Sequence, residues 1–503
     1  MTNSLGKKLL VSVFGAFLLT APLVTPAMAK DSLTIDLVNE PSSLDPHVQW
    51  NPDSYYVYRN IFDNLVTRDD TGKIIPQVAT EWKYLSDTKV EFKIRDDITF
   101  HDGSKLTADD VAFSVERITD TKFGSPQLGQ FNKILDAEVT GQGTVTLTTD
   151  GPYPALLAQL VKLSIVPKAI VERVGKDAFN LQPIGSGPYK FEAWQRGVSV
   201  TLARNDAYWG EKGKFEKATF RAVPDASTRL ANLQAGTSDL GVTLDGDLAA
   251  QLEGSASATT LSALTERVAY LRLNTQKPPF DNVKLREAVA HAIDKEGLIE
   301  GILGGHDKAV DELATPVHFG WVDGIKGPAF DPDQAKKIVS EAGESAKAKI
   351  NFATAPVFDQ RVVQAIQQML SDVGFNVEIE MTDMATYLKR SQGGPETASL
   401  LGYGRWSCAC QDVDGVLFPL LDSKNSWSTY RNPAVDKQLA DARSTLDEGK
   451  RLENYRKVHE TVATDIPVIP LYQVAAIYGA SKHLVWKPTP NESLFLNRMT
   501  WSD

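Results

Sequence analysis

The chain is poor in the residues that metal, redox and disulfide-framework proteins depend on. Cysteine occurs only as Cys408 and Cys410, and the seven histidines (His47, His101, His291, His306, His318, His459 and His483) are scattered through 503 residues. With no H-x-x-x-H pair and no Cys/His cluster, a tetrahedral metal site has no ligand set to draw on, and neither a metal nor a cofactor is expected. There is no G-x-S-x-G elbow and no zincin signature, so the sequence shows no mark of a hydrolase and an enzyme is not expected. Positive charge is in deficit, with 53 Lys and Arg against 64 Asp and Glu, a net charge of -11. Such a surface repels phosphate backbones and anionic lipid, which argues against nucleic acid or a membrane surface as partner.

What is present begins at the N-terminus. Lys7 and Lys8 precede an apolar run from Leu9 to Leu19, followed by Ala27-Met28-Ala29. Positive charge, apolar run and small-residue ending make a secretory signal over 1–29, with cleavage expected before Lys30. The run is shorter than the ~20 apolar residues of a membrane span. No cysteine stands at the cleavage point, so a lipid anchor is not expected and the mature chain should occupy the periplasm. At ~100–200 residues per domain, the rest of the chain should form two or three lobes.

Local periodicity then identifies elements of both kinds. Lys89 to Ile94 alternates polar and apolar, as a half-buried strand does. Thr107, with Asp110 three positions on and Val111, Val115 and Ile118 at helical spacing, predicts a capped helix. Asp281 is expected to cap a helix with Leu285, Ala288, Val289, Ala292 and Ile293 on one face. Asp331-Pro332 opens another, closed by Gly343. Ile350–Thr354, Gln360–Leu370 and Asn376–Met381 read as strand, helix and strand, a right-handed βαβ unit with parallel pairing. Thr144–Thr148 and Ser199–Leu202 read instead as hairpin-type strands. The fold class is α/β with mixed sheets.

Several short motifs, taken in order, resemble the periplasmic solute-binding proteins of peptide, opine and nickel importers, the family that includes oligopeptide- and dipeptide-binding proteins. They are Ser43-Leu44-Asp45-Pro46-His47, Ile61-Phe62-Asp63-Asn64-Leu65-Val66, Pro76 to Trp82, Phe100 to Val111, Gly185-Ser186-Gly187-Pro188-Tyr189, Asn205 to Trp209, and Leu285 to Val289 with Ile293-Asp294. Taken by themselves, Gly185-Ser186-Gly187-Pro188 reads as a tight turn rather than a phosphate cradle, and His101-Asp102 as a local turn rather than an acid/base pair.

The resemblance implies a two-lobed binding-protein fold with a hinge. The first lobe would take 30–269, with an extra subdomain at about 72–182. The second would take 270–477, and 478–503 would return to the first. Crossings near Leu273-Asn274 and Pro470-Leu471-Tyr472 would form the hinge. It also implies a monomer that closes on a peptide-like, opine-like or sugar-conjugate solute and delivers it to the permease of an ABC importer in the inner membrane. A metal-chelate carrier of the nickel type is a variant of this reading. A secreted hydrolase or a chemoreceptor partner is the rival.

Specificity is expected in Tyr403-Gly404-Arg405-Trp406-Ser407-Cys408-Ala409-Cys410-Gln411-Asp412-Val413-Asp414. Oligopeptide-binding relatives read Gly-Trp-Cys-Ala-Asp here, the aspartate pairing with the peptide ammonium. Matching Trp406 and Ala409 puts Cys410 at that aspartate, a departure that places peptide N-terminus recognition in doubt. Asp412 or Asp414 could supply the charge, or both could cap a helix starting near Gly415. Trp50 and Pro52, Trp406 and Trp427 are expected to add flat apolar walls, and Arg405 a two-pronged clamp for a carboxylate or phosphate. In an oxidising compartment Cys408 and Cys410 should pair, as a strained vicinal-type bridge with Cα atoms within about 7 Å. A redox or metal role for the two thiols is the alternative.

Overall fold

The structure is a computed structural model that describes residues 1–2, 30–48, 51–69 and 71–502. Most of the expected signal segment and Trp50 lie outside the described residues. One eleven-stranded mixed sheet runs through the molecule. Its axis is a pair of long antiparallel strands, Ala258–Leu273 and Val468–Ser481. On one side they continue through Leu240–Gly241 to Ser32–Leu37, Lys217–Ala222, Ser199–Arg204 and Tyr189–Gln195. On the other they continue through Leu401–Trp406 to Lys349–Thr354 and Asn376–Met381.

The hydrophobic core is nevertheless divided. One part gathers Leu33, Ile35, Phe62, Phe179, Phe220, Tyr478 and Leu494. Another gathers Leu271, Val289, Phe352, Val363, Leu401 and Leu471. Burying a side chain of this size contributes ~1.5–3 kcal/mol over leaving it exposed, so each part stabilises its own half of the sheet. The two long strands pass from one core to the other, and their pairing slips between Leu264 and Val268. Thr265 closes the irregularity by donating its hydroxyl to the Val474 carbonyl (2.7 Å) and accepting at its own carbonyl from Gln473 Nε2 (2.6 Å). Leu273 and Asn274 lie beyond this slip, where Asn274 Nδ2 donates to the Pro395 and Ala398 carbonyls.

A four-stranded antiparallel sheet in the order Ala79–Ser86, Lys89–Ile94, Thr144–Thr149, Ile134–Gly141 carries a third core of Phe92, Val111, Val115, Phe131 and Leu147. The helix Ala108–Thr119 packs on it and starts as its sequence predicts. Thr107 donates its backbone N–H to the Asp110 carboxylate at 2.9 Å, leaving the apolar stripe facing inward.

Asp63 ties this unit to the first core. Its buried carboxylate accepts from Gln77 Nε2, the Ser186 and Tyr208 hydroxyls and Trp209 Nε1, each at 2.9 Å. Burial pushes its pKa up against the pull of those donors. The Gly185-Ser186-Gly187 turn runs so close to this segment that a Cβ at Gly185 would stand 2.1 Å from the Ile61 carbonyl oxygen. Glycine is required there by proximity. His101 and Asp102 sit in the local turn expected of them, closed by the Gly103 N–H on the Phe100 carbonyl and by Ser104 donating to Asp102, while the His101 ring also reaches the Gly187 carbonyl and accepts from the Gly185 N–H.

In the second half, Lys349–Thr354 and Asn376–Met381 pair in parallel around the helix Gln360–Asp372, as the alternation predicts. Asp331 caps the helix Pro332–Ala342, and Gly343 ends it with φ of 60°. The cap of Val283–Ala292 is Asn282, not Asp281: the Asn282 side chain accepts from the Lys284 N–H, because the chain enters that helix one residue later than the pattern suggests.

Candidate ligand-binding cleft

Between the first and second cores runs a cleft of three connected chambers. The first, of about 400 Å³, has Tyr56, Asp245 and Tyr478 on one side and Phe358, Arg405 and Tyr472 on the other. It shares Tyr56, Arg267 and Glu492 with a middle chamber of about 330 Å³, where Pro52 and Tyr55 face Ser407 and Ala409. Ser407 and Ala409 lead into a third, of about 600 Å³, which adds Tyr153 and Lys162 from the four-stranded unit and Trp406, Cys408 and Arg443 opposite them. All three volumes fall in or near the ~300–1,000 Å³ range of small-molecule sites.

The strand Leu401–Trp406 and the loop after it form one wall, and strand alternation sorts their side chains. Tyr403 and Arg405 point to the same face. Tyr403 is fully buried, with its ring edge-on to Phe358 at 5.2 Å and its hydroxyl 2.6 Å from that of Tyr472. Arg405 reaches the first chamber. Trp406 points the other way, donates Nε1 to the Gly415 carbonyl at 2.9 Å, and lies edge-on to Trp427 at 5.1 Å. Trp427 thus backs the wall rather than lining any of the three chambers.

Cys408 and Cys410 form a disulfide with their Cα atoms 5.0 Å apart. Cys408 lines the third chamber and Cys410 is buried. The bridge lies on Gly415, where a Cβ would meet Cys408 Sγ at 2.3 Å. Gly415 belongs to the helix Asp414–Leu421. Asp412 accepts from the Asp414 N–H at 3.0 Å, and its carboxylate is held by Arg451 Nη2 at 2.8 Å, with both side chains buried. Asp414 pairs with Arg443 Nε at 3.1 Å, and burial raises its pKa to about 6. Each aspartate thus faces an arginine of the same half of the molecule, but Asp414 also lines the third chamber and its Oδ1 is buried without a hydrogen bond.

Among the described residues, several contacts cross the cleft. Arg361 Nη1 meets Asp247 at 2.6 Å, and Arg68 donates to the Cys410 carbonyl. Gln411 Nε2 reaches Glu266 at 3.4 Å, and Gly246 abuts the Leu303-Gly304 backbone so closely that a Cβ there would lie 2.6 Å from the Leu303 carbonyl oxygen. Glu266 and Arg267 occupy the slip in the long strands. Burial, with Glu492 nearby, pushes Glu266 up to about 7, and burial brings Lys162 down to about 7. Sequence patterns miss Glu266, Arg267, Lys162, Asp307, Asp359 and Glu492, since none lies in a motif and their chain segments meet only in the fold.

The model of the bacterial extracellular solute-binding proteins, family 5 middle, matches residues 73–428. The chain belongs to this family. It is 26% identical over 485 residues to the glutathione-binding protein GsiB of Shigella boydii serotype 4 (strain Sb227), covering 92% of this chain and 93% of that protein. The Helicobacter pylori periplasmic binding protein DppA, solved with the peptide STSA, has 26% identity and a TM-score of 0.79, covering 94% of this chain and 99% of its own. The Listeria monocytogenes substrate-binding protein CtaP shares the fold with a TM-score of 0.85 at 24% identity, covering 94% of this chain and 100% of its own. The two-lobed α/β binding-protein fold is therefore that of this chain. Among the described residues no helix is long and apolar enough to cross a membrane.

Proposed function

We propose that this protein is the periplasmic solute-binding component of an ABC importer, closing two lobes over a small organic solute and handing it unchanged to the membrane permease. The observation that carries this reading is the chambered cleft, whose opposite walls belong to separate hydrophobic cores. A ligand that touches both walls stabilises the closed arrangement over the open one by its differential contacts. The lobes are taken as 30–269, with a subdomain at about 72–182, and 270–477, the chain returning to the first lobe after Tyr478. The pivot is placed at the slip at Thr265–Arg267 opposite Val474, where ladder pairing is already broken, in preference to the crossings near Leu273-Asn274 and Pro470-Leu471-Tyr472.

A solute in the size range of a short peptide, an opine or a sugar conjugate suits the chamber volumes. The relative named for glutathione and the peptide-bound neighbour support the same range. Native mass spectrometry of protein taken from the periplasm identifies the co-purifying solute. X-ray scattering with and without it should show contraction on binding, and chromatography should return the solute intact. Conversion of the solute, or a scattering profile indifferent to it, would defeat the carrier reading.

A further inference from the structure

Charged side chains on the cleft walls are almost all engaged. Glu492 is paired with Arg267 at 3.0 Å, and Asp359 is held by Arg361 at 2.8 Å. Asp307 accepts the Ala475 N–H at 2.9 Å, and Asp245 accepts that of Leu248 at 2.8 Å. Farther along, Asp412 is taken by Arg451, and Asp414 stands beside Arg443 with its Oδ1 buried and without a hydrogen bond. Arg405 differs. Among the described residues no carboxylate forms an ion pair with it, and its Nε is buried without a hydrogen-bond partner. Asp307 and Asp359 act on it only through space.

The Tyr403 and Tyr472 hydroxyls stand beside this guanidinium, 2.6 Å from each other. One O–H satisfies that contact, which leaves the second as a donor next to the arginine. A guanidinium fork and a hydroxyl donor converging on a cavity match the acceptor geometry of a carboxylate. The middle chamber presents the opposite chemistry. Its lining has Glu266 and the Glu492–Arg267 pair beside Ser407 and Asn491, so among the described residues no unpaired cation stands there, and Asp412 in the disulfide loop is spent on Arg451.

We infer that Arg405 is the specificity-determining anchor for a solute carboxylate, which sets the acidic end of the ligand in the first chamber. This rests on the carrier reading and names the ligand class within it: a carboxylate-bearing solute, such as an acidic sugar derivative or an acyl peptide, in preference to a neutral one.

The test uses the full mature chain and matched probes, with melting temperature and calorimetry as readouts. Gluconate is compared with sorbitol, and N-acetylglycylglycine with glycylglycinamide. The acids should raise the melting temperature and their neutral or amine-bearing counterparts should not. Arg405→Gln should weaken acid binding at least tenfold, with Arg405→Lys intermediate. The unliganded Arg405→Gln protein should melt close to the parent, because it loses its contact with Tyr403 but no ion pair. The inference falls if sorbitol or glycylglycinamide stabilises as well as the acids. It also falls if Arg405→Gln binds acids as tightly as the parent, or if neither acid binds. A neutral or amine-bearing solute that binds and contracts the scattering profile would remove the role of Arg405 while leaving the carrier reading in place.

Discussion

Asp247 and Arg361 face each other across the cleft at 2.6 Å, one at the start of the short helix Gly246–Ala250 and the other in the first turn of Gln360–Asp372. Their side chains are 68% and 48% exposed, so solvent screens the pair and its contribution is about 0–1 kcal/mol. Asp247→Asn should therefore shift the open–closed balance toward open by no more than about fivefold, the effect shrinking in high salt. Single-molecule distance measurements between labels on the two lobes, at low and high ionic strength, would check it. A complete loss of closure would mean that the pair is a latch rather than a trim on the equilibrium.

Asp412 and Arg451 form the contrasting case, an ion pair with each side chain 4% exposed. Removing one partner leaves the other charge buried, at a cost of about 3–5 kcal/mol. Arg451→Met should lower stability by that order in urea unfolding, whereas ligand affinity of the folded fraction should stay near that of the parent. A selective loss of affinity at unchanged stability would return Asp412 to the ligand.

Where a short stretch carries its own periodicity, the structure was legible. Lys89–Ile94, the capped helix after Thr107 and the unit from Lys349 to Met381 each follow from alternation or helical spacing. The cap at Asn282 escaped because Asp281 and Asn282 are equally good caps, and only the preceding turn selects between them. The disulfide was legible because Cys408 and Cys410 have no other thiol to pair with. The cleft was half legible. Arg405, Trp406 and Pro52 lie on its walls, but Trp427 turns its face to Trp406 and the charge of Asp412 goes to Arg451. Glu266 and Glu492 belong to segments distant in sequence, and no local pattern announces that they meet.

Burial pushes the Glu266 carboxyl up to about 7, from 4.5. The folded state then binds more protons than the unfolded state between those values, so this group removes stability as pH rises from about 4.5 to 7. His47, His101, His318 and His459 work oppositely. Burial holds each near 4, so stability is lost as pH falls from 6.5 toward 4. The two trends overlap, and the difference between parent and Glu266→Gln isolates the first. Urea midpoints at pH 5 and pH 6.5 should show the parent losing stability relative to Glu266→Gln at the higher pH. Lys162, lowered to about 7, adds a rise only above that value and leaves the window clear.

Asp63 collects donors from three separate stretches of the chain: Gln77, Ser186, and the neighbouring Tyr208 and Trp209. An amide in its place would offer two N–H donors where four donors already point, so Asp63→Asn should leave at least one buried donor unsatisfied. Each such loss costs about 1–3 kcal/mol. The four-stranded unit is held to the first core partly through this carboxylate, so its amides should gain hydrogen exchange disproportionately. Exchange across Ala79–Thr149 should rise while that of Lys349–Met381, in the other half, stays at the parent level. Uniform acceleration across both halves would mean that Asp63 supports the global fold rather than this junction. The carboxylate lies off the cleft walls, so binding of the native solute at saturating concentration should survive the substitution.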